Sequence, residues 1–123
     1  PRDYTAHVLM AKCQYVQQRF DRAADYASEA GRIYPQEPQA QMIMGVARLH
    51  TANFDAAFEN FERCDRLLPG NPEFLFLRGL AREGAQRQNE AARFYIAYLK
   101  IVQQGPHADH AYQRLVTWGY LRP

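Results

Sequence analysis

The chain has 123 residues, with 15 Lys and Arg against 13 Asp and Glu, a net charge of +2 and a pI of about 8.8. That length allows a single domain with a real core, and 47% hydrophobic residues, with eight Tyr and seven Phe, supply the volume to fill it. The basic residues, mostly Arg, are interspersed with acids and form no run, which argues against a nucleic-acid surface, and no apolar stretch is long enough to enter and cross a membrane.

In chain order, the pattern predicts a first helix over residues 3–17, with Asp3 placed to cap its free backbone amides. A second covers 20–34, where Ala23, Ala27 and Ala30 form a stripe that lets a neighbouring helix approach closely. Pro35 and Pro38 end this unit, because proline lacks the amide and disfavours helix before it. Residues 40–72 then read as two more helices, turning at Thr51-Ala52-Asn53 and stopping at Pro69-Gly70-Asn71-Pro72. Gly45, Ala57 and Cys64 stand where these helices must touch, with Phe54 and Phe61 filling the space beside them. The next pair is predicted near 73–86 and 89–104, the second running on toward Gly105. A last helix is predicted over 107–119, with Ala108, Ala111, Tyr112, Leu115 and Trp118 as its apolar stripe and Asp109, His110, Gln113, Arg114 and Thr117 opposite. Residues 74–77 are the best strand candidate, and they are better explained as a helix start.

One period of 34 residues links these segments: Ala23, Ala57 and Ala91; Gly45 and Gly79; Phe20 and Phe54; Pro35 and Pro69; Phe61 and Tyr95. Several residue classes sharing one period indicate a helical-hairpin repeat array. The last helix then serves as a lid over the final hairpin's apolar side.

These residues resemble the tetratricopeptide repeat (TPR): a small residue in the first helix, Ala-x-x-x-aromatic in the second, and a closing Pro. The second unit reads Met44-Gly45, Ala57-x-x-x-Phe61 and Pro69, the third Gly79 and Ala91-x-x-x-Tyr95, and the first, more loosely, Met10-Ala11, Ala23-x-x-x-Ala27 and Pro35. His7, Gln41, Arg78, Tyr98 and Gln103 depart from the pattern. The resemblance implies an all-α superhelix of about seven helices over residues 1–123, with repeats near 4–37, 38–71 and 72–105 and a capping helix near 106–120.

It also implies a protein-interaction module (adaptor, scaffold or chaperone-like) whose first helices line a concave face that holds a partner segment. By register that face carries Thr5, Val8, Lys12, Tyr15 and Val16; Gln39, Met42, Val46, Leu49 and His50; and Glu73, Phe76, Leu80 and Glu83. Its centre is apolar, and exposed apolar groups on this scale mark a contact surface. Some family members grip a partner's C-terminal carboxylates through Lys and Asn on this face. Lys12 is the one inner Lys here, no Asn joins it, and Glu83 would repel a carboxylate, so an apolar or amphipathic segment is the expected ligand. The competing reading is core packing for some of these residues, or a structural repeat that associates with itself as a homo-oligomer through its first hairpin, around Ala6, Leu9, Ala24 and Ala27.

No cofactor or metal is expected. His107, Asp109 and His110 lie close in sequence, but on a helix Asp109 points away from the other two, so they read as a solvated helix start. No Gly-rich phosphate loop is present, and the hydroxyls of Thr5, Ser28, Thr51 and Thr117 have no evident base, so no enzyme activity is expected of this segment. Cys13 and Cys64 are both expected to pack as small hydrophobes, in a soluble protein with reduced thiols. Pro1 stands without an initiator Met, which points to an excised or processed piece and leaves the compartment unread.

Overall fold

A computed structural model describes residues 2–123; Pro1 lies outside the described residues. Seven helices follow one another among them: α1 (Arg2–Val16), α2 (Phe20–Ile33), α3 (Pro38–His50), α4 (Phe54–Leu67), α5 (Pro72–Gly84), α6 (Gln88–Leu99) and α7 (Pro106–Thr117). Each packs on the next, so the chain folds as a series of hairpins. α1 also touches α3, and α3 touches α5, while no two even-numbered helices make a comparable contact. The odd helices therefore form the inner, shorter-radius side of a curved stack.

Helix boundaries repeat as strictly as the packing residues. The turns joining α1 to α2, α3 to α4 and α5 to α6 each place one residue in the left-handed region: Gln18, Ala52 and Gln86, with φ of 62°, 61° and 62°. The next residue then donates to the carbonyl five positions back, Arg19 to Gln14, Asn53 to Arg48 and Arg87 to Arg82, at 2.8–2.9 Å. This satisfies a carbonyl that the helix end would leave unpaired and reverses the chain in three residues. Between hairpins, Pro38, Pro72 and Pro106 each occupy the first turn of the following helix, where the missing amide costs nothing. Asn71 also caps α5, its Oδ1 accepting from the Glu73 amide at 2.9 Å.

Inside the second and third hairpins, one small residue faces one large one. A Cβ on Gly45 would run into the Phe61 ring, and one on Gly79 into the Tyr95 ring. The first hairpin solves the same problem with Ala11 and Ala27, both fully buried, which is why its sequence pattern looks looser. Ala23, Ala57 and Ala91 are all fully buried.

Four expectations are corrected. α6 stops at Leu99 because the Tyr98 carbonyl accepts from the Ile101 and Val102 amides, at 3.0 and 2.9 Å, and Gly105 (φ 107°) then re-aims the chain into α7. Asp3 lies inside the first turn of α1 rather than capping it, and its carbonyl accepts from His7 Nδ1 at 2.7 Å. Cys13 is exposed; only Cys64 is buried, its thiol donating to the Pro38 carbonyl. Tyr112 leaves the apolar stripe of α7 and lies exposed, donating its hydroxyl to the Arg122 carbonyl.

Candidate partner-binding face

The odd helices expose a broken apolar strip along the inside of the curve. Met42, Val46 and Leu49 on α3 and Leu80 on α5 are half-buried, their inner sides packed on the cluster of Phe58, Phe61, Phe74 and Leu77. Helix geometry explains the alignment: Met42, Val46 and Leu49 fall at i, i+4 and i+7.

Two residues expected on this face are closed off. Val8, at 4% exposure, belongs to the core between the first hairpin and α3, with Tyr4, Ala27 and Ile43. Phe76, at 3%, is covered by α7: the His107 ring stacks on it at 4.1 Å with 7° between planes, and Tyr95 and Tyr98 pack at 5.8 and 5.4 Å. They support the face from behind and do not line it.

The two ends of the strip differ in chemistry. At the first, Lys12 is exposed, and the Tyr15 hydroxyl meets His50 Nε2 at 3.0 Å. His50 is itself stacked on Phe20 at 4.2 Å, and Tyr15 packs edge-on against both rings. Burial pushes the Tyr15 hydroxyl above its usual titration range, so it stays a neutral donor or acceptor.

At the other end, Glu83 gathers three helices. It accepts from the Tyr95 hydroxyl on α6 at 2.5 Å and from His110 Nε2 on α7 at 3.0 Å, and it pairs with Arg114 Nε at 3.2 Å. Burial, and then the bond to Glu83, hold the Tyr95 hydroxyl far above its usual range. His107 Nδ1 lies 3.3 Å from Glu73 Oε2. Thus Glu83 is consumed in docking α7, and His107 and His110 are not a freely solvated helix start. Among the described residues, no three His, Cys, Asp or Glu side chains converge as a metal site. The sequence reading missed His107, His110 and Arg114 as inward-facing residues. Carrying the 34-residue register one step further would have found them, since they match Glu73, Phe76 and Leu80.

Paired antiparallel helices, stacked with their first members inside, define a TPR-type superhelix, and this is the fold of the chain. No family model and no curated protein matches the sequence. Among solved structures, the chain is similar to the Arabidopsis OM64 TPR domain, with a TM-score of 0.87, 20% identity, and coverage of 95% of this chain and 97% of that one. It is also similar to the first TPR of Spaghetti (RPAP3) bound to the HSP90 peptide SRMEEVD, at TM-score 0.86, 17% identity, and 95% and 93% coverage. The second TPR domain of human RPAP3, in complex with the HSP70 peptide SGPTIEEVD, follows at TM-score 0.79, 14% identity, and 91% and 97% coverage. At these identities the likeness establishes the fold. No helix among the described residues is long and apolar enough to cross a membrane.

Proposed function

We propose that the chain is a single protein-interaction domain, without catalytic chemistry of its own, that holds an apolar or amphipathic segment of a partner protein against its inner face. One observation carries this reading: Met42, Val46, Leu49 and Leu80 form a half-exposed apolar strip on the inside of the curve, with polar groups at either end. Such a strip fits a short helix or strand laid across it, its apolar side chains buried and its ends met by Lys12, Tyr15 and His50 or by Glu73. The similar domains bound to peptides ending in Glu-Glu-Val-Asp are precedents for peptide capture by this fold. The chemistry here favours a less acidic segment, since Lys12 is the one Lys on the face, no Asn joins it, and Arg114 is already paired with Glu83.

The test is affinity capture with the whole chain, repeated with Met42→Glu plus Leu49→Glu. Capture is expected to be lost while helicity is retained. Undiminished capture by the folded double variant would refute the groove. Phe76→Glu is unsuitable because it would place a charge in the core. Self-association through the first hairpin draws on Leu9, which is 57% exposed, but Ala27 is spent within that hairpin's own core, so the surface offered is narrow.

A further inference from the structure

The outer side of the stack holds three depressions at equivalent places in the repeat. His7, Tyr26 and Glu29 line the first, Gln41, Asn60 and Arg63 the second, and Leu75, Phe94 and Ala97 the third. Each residue follows its predecessor by 34 positions, so the three serve as controls for one another. The first also carries Asp25 and the third Glu90, whereas the second, of about 460 Å³, has no acidic residue in its lining and three arginines, Arg32, Arg48 and Arg63.

The polarity of this middle cavity is fixed by its hydrogen bonds. Arg48 has no acceptor, so its Nη1, 2.6 Å from Asn60 Oδ1, must donate. Asn60 therefore turns its Nδ2 toward Gln41 and donates to Oε1 at 2.9 Å. Gln41 is then left with its Nε2 amide as a donor without a partner among the described residues, on a side chain of which only 6% is exposed. That amide faces Gly31, where an added Cβ would lie 3.3 Å from Nε2. Arg63 has no ion-pair partner among the described residues, while Arg32 is paired with Glu29. An amide donor open to the cavity, two guanidinium groups and the Ser28 hydroxyl thus line one opening. Amide and cationic donors that open into one cavity with no carboxylate in its lining match an oxyanion.

We propose that the cavity between α2, α3 and α4 is a second binding site, for an oxyanion carried by a partner peptide, either a side-chain carboxylate or a phosphate. It lies on the opposite side of the stack from the inner face and is independent of the function proposed above. The Gln41 amide, Arg48 and Arg63 bind the oxygens, and Gly31 keeps the approach clear.

The test follows the Gln41 side-chain amide by NMR in the whole chain, titrated with a short peptide carrying one glutamate, the same peptide with phosphoserine in its place, and a glutamine control. A saturable shift is expected with at least one acidic peptide and not with glutamine; comparing the two identifies the preferred oxyanion. Arg63→Ala, at an exposed position, is expected to weaken binding about ten-fold or more. Gly31→Ala covers the amide and is expected to abolish the shift. Should Gly31→Ala not fold, Arg63→Ala decides alone. No saturation up to about 10 mM, an equal shift with the glutamine peptide, or unchanged affinity in the folded variants would overturn the site.

Discussion

The middle hairpin, α3–α4, and the third, α5–α6, share one template, and they differ most where matched residues change polarity. In both, a glycine on the first helix admits an aromatic ring from the second: Gly45 with Phe61, Gly79 with Tyr95. The middle pair is dry. In the third, the ring carries a hydroxyl that donates to Glu83, and Glu83 in turn holds His110 and Arg114 of α7. On the outer side the contrast reverses, with the Gln41–Asn60 pair in the middle where the third has Leu75 and Phe94. The repeat sets backbone and ring positions; single substitutions within it decide which surfaces are sealed and which remain polar. This also explains where α7 docks, since only the third hairpin offers it an internal carboxylate with a phenol behind it.

The largest effect should come from removing the shared ring. Phe61 is fully buried, and Phe61→Ala is expected to cost about 3–5 kcal/mol, because the space beside Gly45 cannot collapse onto a residue with no side chain. Denaturant unfolding measures it, and a loss under about 1 kcal/mol would contradict the role given to the ring. Enlarging the other side of the fit, by Ala57→Leu, should cost about 1–3 kcal/mol by overpacking, and an unchanged melting temperature would contradict the register.

Exchanging the two rings sharpens the contrast. Phe61→Tyr places a hydroxyl where the middle hairpin has no Glu83 equivalent: the matched position is Leu49. It is expected to destabilise by about 1–3 kcal/mol, the cost of a buried polar group without a partner. Tyr95→Phe removes a hydroxyl whose acceptor keeps two other partners, and should cost only about 1 kcal/mol. If the two changes cost the same, the distinction between a dry and a wired hairpin fails.

Cys64 and Tyr98 occupy matched positions and carry the contrast into pH. Burial pushes the Cys64 thiol from 9.0 up to about 12. The folded state thus favours the protonated thiol, so its contribution is complete below about pH 9 and falls as pH rises toward 12. Unfolding free energy should decline from about pH 9, and Cys64→Ala should flatten that decline up to about pH 10, where the buried tyrosines begin to contribute. An alkylating reagent should modify exposed Cys13 in the folded protein and reach Cys64 only on unfolding. Tyr98 is also pushed up by burial, from an ordinary value already near 10, so it contributes above that window.

Residues whose spacing alone decides their place were legible in the sequence. The 34-residue period located the first six helices, the Gly45 and Gly79 contacts and the alanines Ala23, Ala57 and Ala91, and an apolar stripe located the seventh helix. Tertiary context hid the rest. Val8 and Phe76 match inner-face positions, but a helix in a short stack is covered on more than one side, and His107 covers Phe76 completely enough to make it core. Cys13 looked like a packing thiol because its composition is apolar, yet α1 turns it outward. The Glu83 network joins residues from three helices, and no local pattern announces such a meeting. The end of α6 was misread because Tyr98, in place of a small residue, comes with a tighter turn that the sequence does not announce.

The smallest effect tests the template itself. Ala52 in the middle hairpin and Gln86 in the third adopt φ of 61° and 62°, a conformation in which a Cβ crowds the following carbonyl. Glycine removes that strain but adds freedom to the unfolded chain, so each of Ala52→Gly and Gln86→Gly should stabilise by about 0.5–1 kcal/mol net. Both turns close with the same pair of backbone bonds, Ala52 to Leu49 with Asn53 to Arg48, and Gln86 to Glu83 with Arg87 to Arg82. The two gains should therefore agree within about 0.3–0.5 kcal/mol and add in the double variant, as independent distant sites do. Melting curves of the two single variants and the double decide it. A gain in one turn and a loss in the other would mean that the side chain, and not the repeated backbone, sets the energy there.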